Sequence, residues 1–384
     1  MTAAIDQVLQ DAVDAGAVPS VVAVAADRNG PRYEGSAGPR VAGEDEPVTP
    51  DTHFRIMSMT KMVCTVAALQ QVEQGNLDLD AAIEDYCPAF GKVEVLDGFD
   101  GDVPRMRPPA SRATVRQLLT HTTGLGYWFF NADVTRWEAA TGTPNVLSGD
   151  RVIFTAPMVA DPGTRFEYGI NTDWLGQVVE ATSGVTLDVA IKDGVTGPLG
   201  MDETAFLMTP DQRATSTPIH VKGEDGSWVA TDVDLRQDPD YWAGGHGLHS
   251  TPRDYLKFQQ ALLHDGTLDG VTILQSSTVD EAFRNQIGEL DFPAEISTAD
   301  PASSFDFNAG PGFKFGYGLL INTADVPGGR RAGTGAWAGL CNTHFWVDRT
   351  TGIAGAIYSQ FLPFGDLAAL QLYADFEQAL YASL

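Results

Sequence analysis

The chain has 384 residues, of which 43% are apolar, and its formal net charge is -27. This length and apolar content predict a globular protein of two or three domains with a sizeable core. An excess of negative charge repels phosphate backbones and anionic lipids, which argues against nucleic-acid and membrane partners. The charge is interpreted as a solubility feature, and steering of a cationic substrate is the alternative.

The N-terminal stretch MTAAIDQVLQDAVDAG predicts an amphipathic helix and no export signal, because it lacks basic residues and a long apolar core. No apolar run reaches the roughly 18 to 20 residues that a membrane-spanning helix needs. The sequence therefore predicts a cytoplasmic protein. Cys64, Cys87 and Cys341 are odd in number and widely spaced, so they indicate neither a disulfide framework nor a zinc site.

A pair of strands and a buried helix are predicted next. The stretch VVAVAADRNGPRYEGSAG alternates around Asn29 and Gly30, which is typical of two strands joined by a turn. Residues 58–74 then show helical apolar spacing, and Gly75 supplies the stop. The chain is thus expected to enter a sheet early and to follow it with a core helix.

The middle of the chain, 86–249, is rich in Gly, Pro and short helical pieces, whereas strands return near the C-terminus. STPRDYLKFQQALLHDG predicts a helix, FGYGLLI, THFWVD and IAGAIYSQ predict strands, and residues 366–380 predict a closing helix. The simplest fold that accounts for these predicted elements is α+β. One mainly antiparallel sheet domain, 1–85 with 250–384, carries flanking N- and C-terminal helices, and 86–249 is a mostly helical inserted domain.

Residues 288–312 show no clear periodicity. A loop of this length is usually either functional or mobile, so a mobile surface loop and a lid over a site both stay open.

The stretch HFRIMSMTKM places Ser58 and Lys61 three residues apart, on one surface of the predicted helix. A serine hydroxyl needs a neighbouring base to become a nucleophile, and a lysine can serve when burial keeps part of it neutral. A helix N-terminus at Ser58 would also favour developing negative charge. An ordinary cap serine beside a solvated lysine is the competing interpretation.

Four further segments follow in order: LTHTTGL (119–125), PGTRFEYGINTDWLG (162–176), GGHGLHSTPRDYLKF (244–258) and GAWAGLCNTHFWVD (335–348). Together with SMTK, this set resembles the serine β-lactamase-like hydrolases, the superfamily of class C β-lactamases and penicillin-binding proteins. Within it, the chain is most similar to the family VIII carboxylesterases. Five ordered segments are much more specific than one S-x-x-K pattern.

The resemblance implies roles for individual residues. Ser58 corresponds to the acylated nucleophile, Lys61 to its partner base, and Tyr168 to the tyrosine that shares the base role and protonates the leaving oxygen. The segment Trp337 to Gly339 resembles the W-x-G of carboxylesterases, on the strand that lines the site. The backbone N-H groups of Ser58 and Leu340 would form the oxyanion hole.

Differences from the β-lactamase sequence pattern narrow the range of substrates that we expect. Those enzymes usually have an asparagine two residues after the tyrosine and a Lys or His at the start of the strand motif, where this chain has Ile170 and Trp337. An apolar lining favours uncharged groups over a penicillin. Tyr127 and Trp128 begin an aromatic run that is either core or pocket wall.

Other titratable residues are given structural roles. His121 is interpreted as a hydrogen-bonded structural histidine, and His246 and His249 as structural histidines without an orienting carboxylate. Asp173 is interpreted as a carboxylate at a helix start that could also orient the site. The chain has no G-x-S-x-G, H-E-x-x-H, P-loop or G-x-G-x-x-G, so neither a metal nor a nucleotide cofactor is implied.

The sequence therefore predicts a serine hydrolase that cleaves small uncharged carboxylic esters through an acyl-enzyme intermediate, with a small-molecule ester as its partner. An amidase, lactam hydrolase or acyltransferase on the same Ser-Lys-Tyr site is the alternative, since fold and nucleophile do not fix the acceptor. A non-catalytic ligand sensor is a more remote alternative. Oligomeric state, including a homo-oligomer, stays open.

Overall fold

A seven-stranded antiparallel sheet joins the two ends of the chain in the computed structural model, which describes residues 2–384. Its strand order is β13-β14-β15-β16-β17-β1-β2, so the first two strands lie beside the last one. The strands of this sheet are β1 Val21–Asp27, β2 Gly30–Ala37, β13 Phe313–Phe315, β14 Leu320–Asn322, β15 Gly335–Gly339, β16 Thr343–Asp348 and β17 Ile353–Tyr358.

Eleven α-helices, five two-stranded pairs, four short 3-10 helices and one short π-helix make up the remaining regular structure of residues 2–384. The helices are α1 Thr2–Asp14, α2 Thr60–Glu73, α3 Ile83–Tyr86, α4 Val115–Leu119, α5 Ala132–Thr141, α6 Asn171–Ser183, α7 Leu187–Ile191, α8 Pro210–Ala214, α9 Pro252–Leu263, α10 Ser276–Ala282 and α11 Leu367–Tyr381. The pairs are β3 Phe54–Arg55 with β8 His249–Ser250, β4 Val95–Asp100 with β5 Val103–Arg107, β6 His220–Lys222 with β7 Trp228–Ala230, β9 Thr267–Leu268 with β10 Val271–Thr272, and β11 Glu295–Ile296 with β12 Phe307–Asn308.

Helices cover both faces of the central strands. On one face, Trp346 of β16 packs with Phe376 of α11 and Leu9 of α1. On the other, Phe345 belongs to the larger core that includes α2 and α9. Because successive side chains of a strand alternate between faces, two covered faces require the uninterrupted apolar character that these strands show.

Helix α2 lies in the interior, and all but a few of its residues are buried. It packs against α6, and Gly75 ends it in the left-handed conformation (φ 76°), as the sequence predicted. A helix buried around its circumference is held by tertiary packing on every side. The lysine in its first turn is therefore placed with little freedom.

The structure corrects one predicted strand and refines the middle of the chain. FGYGLLI is not one strand, because the chain turns back between Phe315 and Leu320 and pairs β13 with β14. Gly318 takes φ 71° in that turn, which glycine adopts without strain. Helices α4 to α8 cover only a minority of the middle segment, which also contains β4–β5 and β6–β7. The division into domains at 85 and 249 stays a prediction.

All three cysteines are buried and free. Among the helices of residues 2–384, none combines the length and the apolar character that crossing a membrane requires.

Candidate active site

Ser58 sits in a short 3-10 turn, Met57–Met59, that leads directly into α2. The residue before it, Met57, is buried and has φ 46°, a conformation that is costly for a residue with a side chain. Such backbone strain concentrates at functional sites. Ser58 is 9% exposed and lines a cavity, so its hydroxyl is reachable by a ligand.

The amine of Lys61 is buried among three oxygen atoms, two of which belong to residues far from it along the chain. Its Nζ lies 3.2 Å from Ser58 Oγ, 3.0 Å from the Tyr127 hydroxyl and 2.7 Å from the Gly245 carbonyl. An ammonium uses all three contacts as a donor. A neutral amine keeps two N-H groups, and donating them to Gly245 and Tyr127 turns its lone pair toward Ser58 Oγ. The site is thus shaped to take a proton from the serine.

Tyr168 approaches the same lysine through its ring. Lys61 Nζ lies 4.8 Å from the centroid of the Tyr168 ring, within cation-π range. His121 and Trp337 contact that ring at centroid distances of 4.9 and 5.1 Å. Unlike Tyr127, Tyr168 lines the same cavity as Ser58. Of the two tyrosines beside Lys61, Tyr168 therefore faces the ligand space.

A buried carboxylate, Asp173 in the first turn of α6, lies behind the lysine. Its Oδ1 accepts a 3.0 Å hydrogen bond from the N-H of Gly245, whose carbonyl in turn accepts from Lys61. Burial raises the pKa of Asp173 to about 6, against an opposing effect of Lys61. Gly245 has no room for a side chain, because a Cβ there would lie 2.5 Å from Asp173 Oδ2.

The nearby histidines are buried and neutral. Burial, followed by the charge of Lys61, lowers the pKa of His246 to about 3, although its Nδ1 lies 3.7 Å from Asp173. The same two effects, in the same order, lower the pKa of His121 well below its usual value. Burial likewise lowers the pKa of His249 to about 3. Neutral buried histidines agree with the structural roles that the sequence suggested.

The cavity beside Ser58 measures about 350 Å³ and has a mainly apolar lining, a size within the range of small-molecule sites. Trp337 and Gly339, two of the predicted pocket residues, line it, and so does Leu340. The other lining residues are Phe129, Phe130, Tyr168, Phe292, Ile296, Phe307, Asn308, Ala309, Phe313, Leu320, Asn322, Val326, Arg330, Ala336, Ala338, His344, Phe364, Leu370, Tyr373 and Glu377.

Three predicted pocket residues lie elsewhere. Ile170, Tyr127 and Trp128 line a separate small void of about 10 Å³ and belong to the main hydrophobic core. Ile170 immediately precedes α6, where its side chain packs in that core. Tyr127 still reaches the site through its hydroxyl on Lys61, but none of the three forms a wall of the large cavity.

The segment 288–312 covers part of this cavity. It forms the short β11–β12 pair, and Phe292, Ile296 and Phe307 contribute to the lining. The Ala299 N-H donates to the carbonyl of Phe129 at 2.8 Å, which fastens the segment over the aromatic run. This placement favours a cover over the ligand space, one of the two alternatives that the sequence left open.

Close packing brings β15 against the turn that carries Ser58. A Cβ at Gly339 would stand 2.4 Å from the backbone carbonyl oxygen of Ile56, so only glycine fits there. Among the backbone hydrogen bonds of turns, loops and helix caps in residues 2–384, none has the N-H of Ser58 or of Leu340 as its donor. Ser58 and Leu340 both line the cavity. Over the same residues, His, Cys, Asp and Glu form no group of three that could hold a metal ion.

Comparison with known proteins identifies the family. A family model described as Beta-lactamase matches residues 5–380. The chain belongs to this family. The resemblance found in the sequence is confirmed, and so is the α+β fold with a main antiparallel sheet.

Similar proteins include both hydrolytic and acyl-transferring enzymes. A lovastatin esterase from Penicillium rubens is 33% identical, across 98% of this chain and 97% of the relative. A monacolin J acid methylbutanoyltransferase from Aspergillus terreus is 32% identical, across 97% and 93%. Unliganded simvastatin synthase from Aspergillus terreus has a TM-score of 0.86 at 29% identity and covers 99% of this chain and 97% of that one. The chain is a serine hydrolase-type enzyme, as predicted, within a family that also contains acyltransferases.

Sequence reasoning missed two contacts at the site. Tyr127 and Gly245, which hold Lys61, lie 66 and 184 residues from it along the chain. Gly245 lies within GGHGLHSTPRDYLKF, a segment that carried the resemblance, and Tyr127 lies two residues after another such segment, LTHTTGL. Position in a matched segment was the available signal, whereas the contact itself depends on tertiary packing.

The raised pKa of Asp173 predicts a pH effect on stability. The folded pKa of about 6 exceeds the ordinary value of 3.8, so the contribution of this group is largest at low pH and is lost as pH rises through 6. Between pH 5 and 8 the wild type should lose roughly 1.4 kcal/mol of unfolding free energy that Asp173→Asn does not lose. Denaturant unfolding at several pH values measures this difference. Asp45→Asn, at an exposed loop position, should follow the wild-type profile, and a parallel profile for Asp173→Asn would contradict the assignment.

Proposed function

We propose that this enzyme is a serine esterase that cleaves small uncharged carboxylic esters through an acyl-enzyme intermediate. The observation that carries the proposal is the Ser58–Lys61 contact of 3.2 Å at an apolar cavity, with the other two directions of the amine occupied by oxygen atoms. Nucleophile and base are then within hydrogen-bond reach, as covalent catalysis requires.

The proposed reaction begins when Ser58 Oγ attacks the ester carbonyl carbon and Lys61 takes the hydroxyl proton. The negative charge that develops on the carbonyl oxygen is held by the N-H groups of Ser58 and Leu340. When the C–O bond of the ester breaks, Tyr168 gives a proton to the leaving alcohol, and the proton on Lys61 restores it. Water then attacks the acyl-enzyme by the same route, releasing the acid and free Ser58.

The two tyrosines beside Lys61 divide these tasks. Tyr168 lines the cavity, so its hydroxyl can serve a group that leaves into that space. Tyr127 is buried, and burial followed by the charge of Asp173 raises its pKa well above the usual value. A tyrosine that stays protonated in this way suits the holding of Lys61 at 3.0 Å.

The lining of the cavity supports an uncharged substrate. Trp337 stands where β-lactamases usually have a Lys or His, and Phe129, Phe292 and Phe313 add further apolar surface. An apolar cavity offers little to the carboxylate of a penicillin. A relative named lovastatin esterase gives independent support for ester hydrolysis.

Acyl transfer to an alcohol is the second candidate, supported by the similar monacolin J acid methylbutanoyltransferase. Both reactions share the acyl-enzyme and differ only in whether water or an alcohol accepts the acyl group. The ratio of butyl ester to free acid formed in the presence of butanol distinguishes them. Amide and cephalosporin substrates, assayed in the same panel, test the amidase and lactam-hydrolase alternatives.

Replacement of the nucleophile gives the primary test. Ser58→Ala should lower p-nitrophenyl butyrate hydrolysis by at least about 10³-fold, because no acyl-enzyme can form. An organophosphonate should add one adduct to the wild type, by intact mass, and none to Ser58→Ala. Ser227→Ala, at an exposed turn position, should retain wild-type activity and adduct formation. Undiminished turnover by folded Ser58→Ala would overturn the proposal, and a wild type without an adduct would favour a ligand sensor.

Two esters with different leaving groups distinguish the role of Tyr168 from that of Tyr127. Tyr168→Phe should slow hydrolysis of ethyl butyrate by about 10²-fold or more while affecting p-nitrophenyl butyrate much less, because nitrophenolate leaves without a proton. Tyr127→Phe should slow both esters to a similar extent, since it acts through Lys61. The measurement is kcat/KM for each ester with each variant, because kcat/KM reports formation of the acyl-enzyme, whereas kcat also includes the deacylation that both butyrate esters share. An equal loss on both esters for Tyr168→Phe would contradict proton donation to the leaving group.

A substitution at the tightly packed Gly339 tests the proposed oxyanion hole. Gly339→Ala places a Cβ against the carbonyl of Ile56 and should push β15 away from Ser58, lowering kcat by about 10²-fold with a smaller effect on KM. The same Cβ would also lie 2.4 Å from Thr343 Oγ1. Thr343→Ala removes only that second clash, so Gly339→Ala/Thr343→Ala should stay impaired. Recovery in the double variant would show that the backbone contact is not what positions the strand.

A further inference from the structure

The cavity continues around the edge of β15 to the other face of the sheet. Strand β14 pairs with β15 only at Gly335 and Ala336, so the segment from Trp337 to Gly339 has no neighbouring strand on that side. Adjacent residues of a strand point to opposite faces, yet Trp337, Ala338 and His344, the partner of Ala338, all line the cavity. One ligand space therefore connects Ser58 with the region beneath α11.

An ion pair stands at this second end of the cavity, where Arg330 and Glu377 are 9% and 5% exposed. Arg330 Nε donates to Glu377 Oε1 at 2.9 Å, its Nη2 donates to Glu377 Oε2 and to the Tyr373 hydroxyl, and its backbone N-H also donates to Oε1. Its guanidinium carbon lies 5.1 Å from the ring centroids of Trp346 and Tyr373. The side chain is thus fixed in place.

One nitrogen of this guanidinium, Nη1, is unused. Within residues 2–384, Nη1 of Arg330 has no hydrogen-bond partner, whereas Nε and Nη2 are both engaged. A guanidinium has five N-H donors in a planar fork, so fixing one side orients the other. Because Arg330 lines the cavity, Nη1 is the group that a ligand there would meet.

The second end is polar but carries no net charge. Glu377 balances Arg330, with which it forms a salt bridge. Burial, followed by the charge of Arg330, lowers the pKa of His344 to about 3, so this ring is neutral. Burial also raises the pKa of Tyr373 to about 12, which keeps its hydroxyl protonated. A neutral oxygen acceptor gains a charge-assisted bond here, while a carboxylate would also face the charge of Glu377.

We propose that Arg330, held by Glu377 and Tyr373, forms a subsite for an uncharged oxygen acceptor at the far end of an apolar chain. The substrate class is then an ester in which one half carries a terminal ketone, hydroxyl or ether oxygen. This specificity rests on the proposed esterase function and adds a second recognition point to it. An ester that ends in a methyl group would leave the guanidinium donor without a partner, a cost that sharpens discrimination.

Matched substrates test the subsite in the wild type. p-Nitrophenyl 7-oxooctanoate and octanoate differ only near the chain end, as do the butanoate esters of 7-oxooctanol and octanol. The ketone should raise kcat/KM about tenfold or more in one of these series. A preference in the acyl series places the acyl group at the second end, and one in the alcohol series places the alcohol there. No preference in either series would overturn the inference, while hydrolysis of none of these esters would instead refute the esterase.

A substrate with a carboxylate at its chain end tests whether the subsite prefers an uncharged acceptor. The mono-p-nitrophenyl ester of octanedioic acid carries a carboxylate at the chain end, and its kcat/KM should fall below that of the keto ester. A higher value for the carboxylate would overturn the claim that the acceptor is uncharged.

A double variant removes the ion pair without leaving a buried charge. In Arg330→Met/Glu377→Gln, the glutamine oxygen can still accept the backbone N-H of residue 330. The ratio of kcat/KM for keto and alkyl ester should fall to about one, and taking a ratio cancels any general loss of activity. Arg349→Met breaks a comparable pair with Asp265 and Asp280 outside the cavity and should keep the wild-type ratio. A wild-type ratio in the folded double variant would assign the pair a purely structural role.

Discussion

The burial of the Lys61 amine is the constraint on which the rest of the site depends. A lysine that is only 1% exposed has lost its water, and each hydrogen-bonding direction must be satisfied by the protein. Ser58, Tyr127 and Gly245 meet that requirement from three separate regions of the chain. Moving any of the three segments would leave a buried polar group without a partner, so the fold and the alignment of serine and lysine support each other.

The peptide of Gly245 links this amine to a second buried group. Its carbonyl accepts from Lys61 while its N-H donates to Asp173, so one rigid peptide fixes the lysine and the carboxylate together. Their attraction opposes the effect of burial on the carboxyl, whose pKa nevertheless rises to about 6. The histidines close by are neutral at that pH. Few groups therefore set the charge of the site, and its polar groups lie close to Ser58.

Sequence reasoning reached most of the elements and the proposed reacting residues, but not the contacts between them. Ser58 and Lys61 were predictable because i and i+3 residues of a helix share a surface, and motif order added Tyr168. Helix α11 and the β1–β2 hairpin followed from periodicity and turn residues. FGYGLLI was misjudged because a turn between two short strands leaves the apolar content of one longer strand.

Contacts between distant segments were beyond the sequence. Ile170 lies two residues from Tyr168, yet Ile170 packs in the core and Tyr168 lines the cavity, since the chain bends at Gly169 before α6 begins. Arg330 and Glu377 are 47 residues apart and gave no local pattern. A pair of this kind emerges only when α11 is placed on the sheet. The same holds for a cavity that passes around a strand edge, because it depends on where β14 stops pairing with β15.

The shape of this cavity bears on the choice between hydrolysis and acyl transfer. An alcohol with an apolar body gains binding energy from walls such as Trp337 and Phe129, whereas water gains none from them. A segment fastened over the aromatic run at Phe129 restricts access further. Once the first alcohol has left, its part of the cavity is free for a second one of similar shape. The features that select an apolar ester therefore also favour an apolar acceptor, so one site can serve both reactions and the acceptor at hand decides between them.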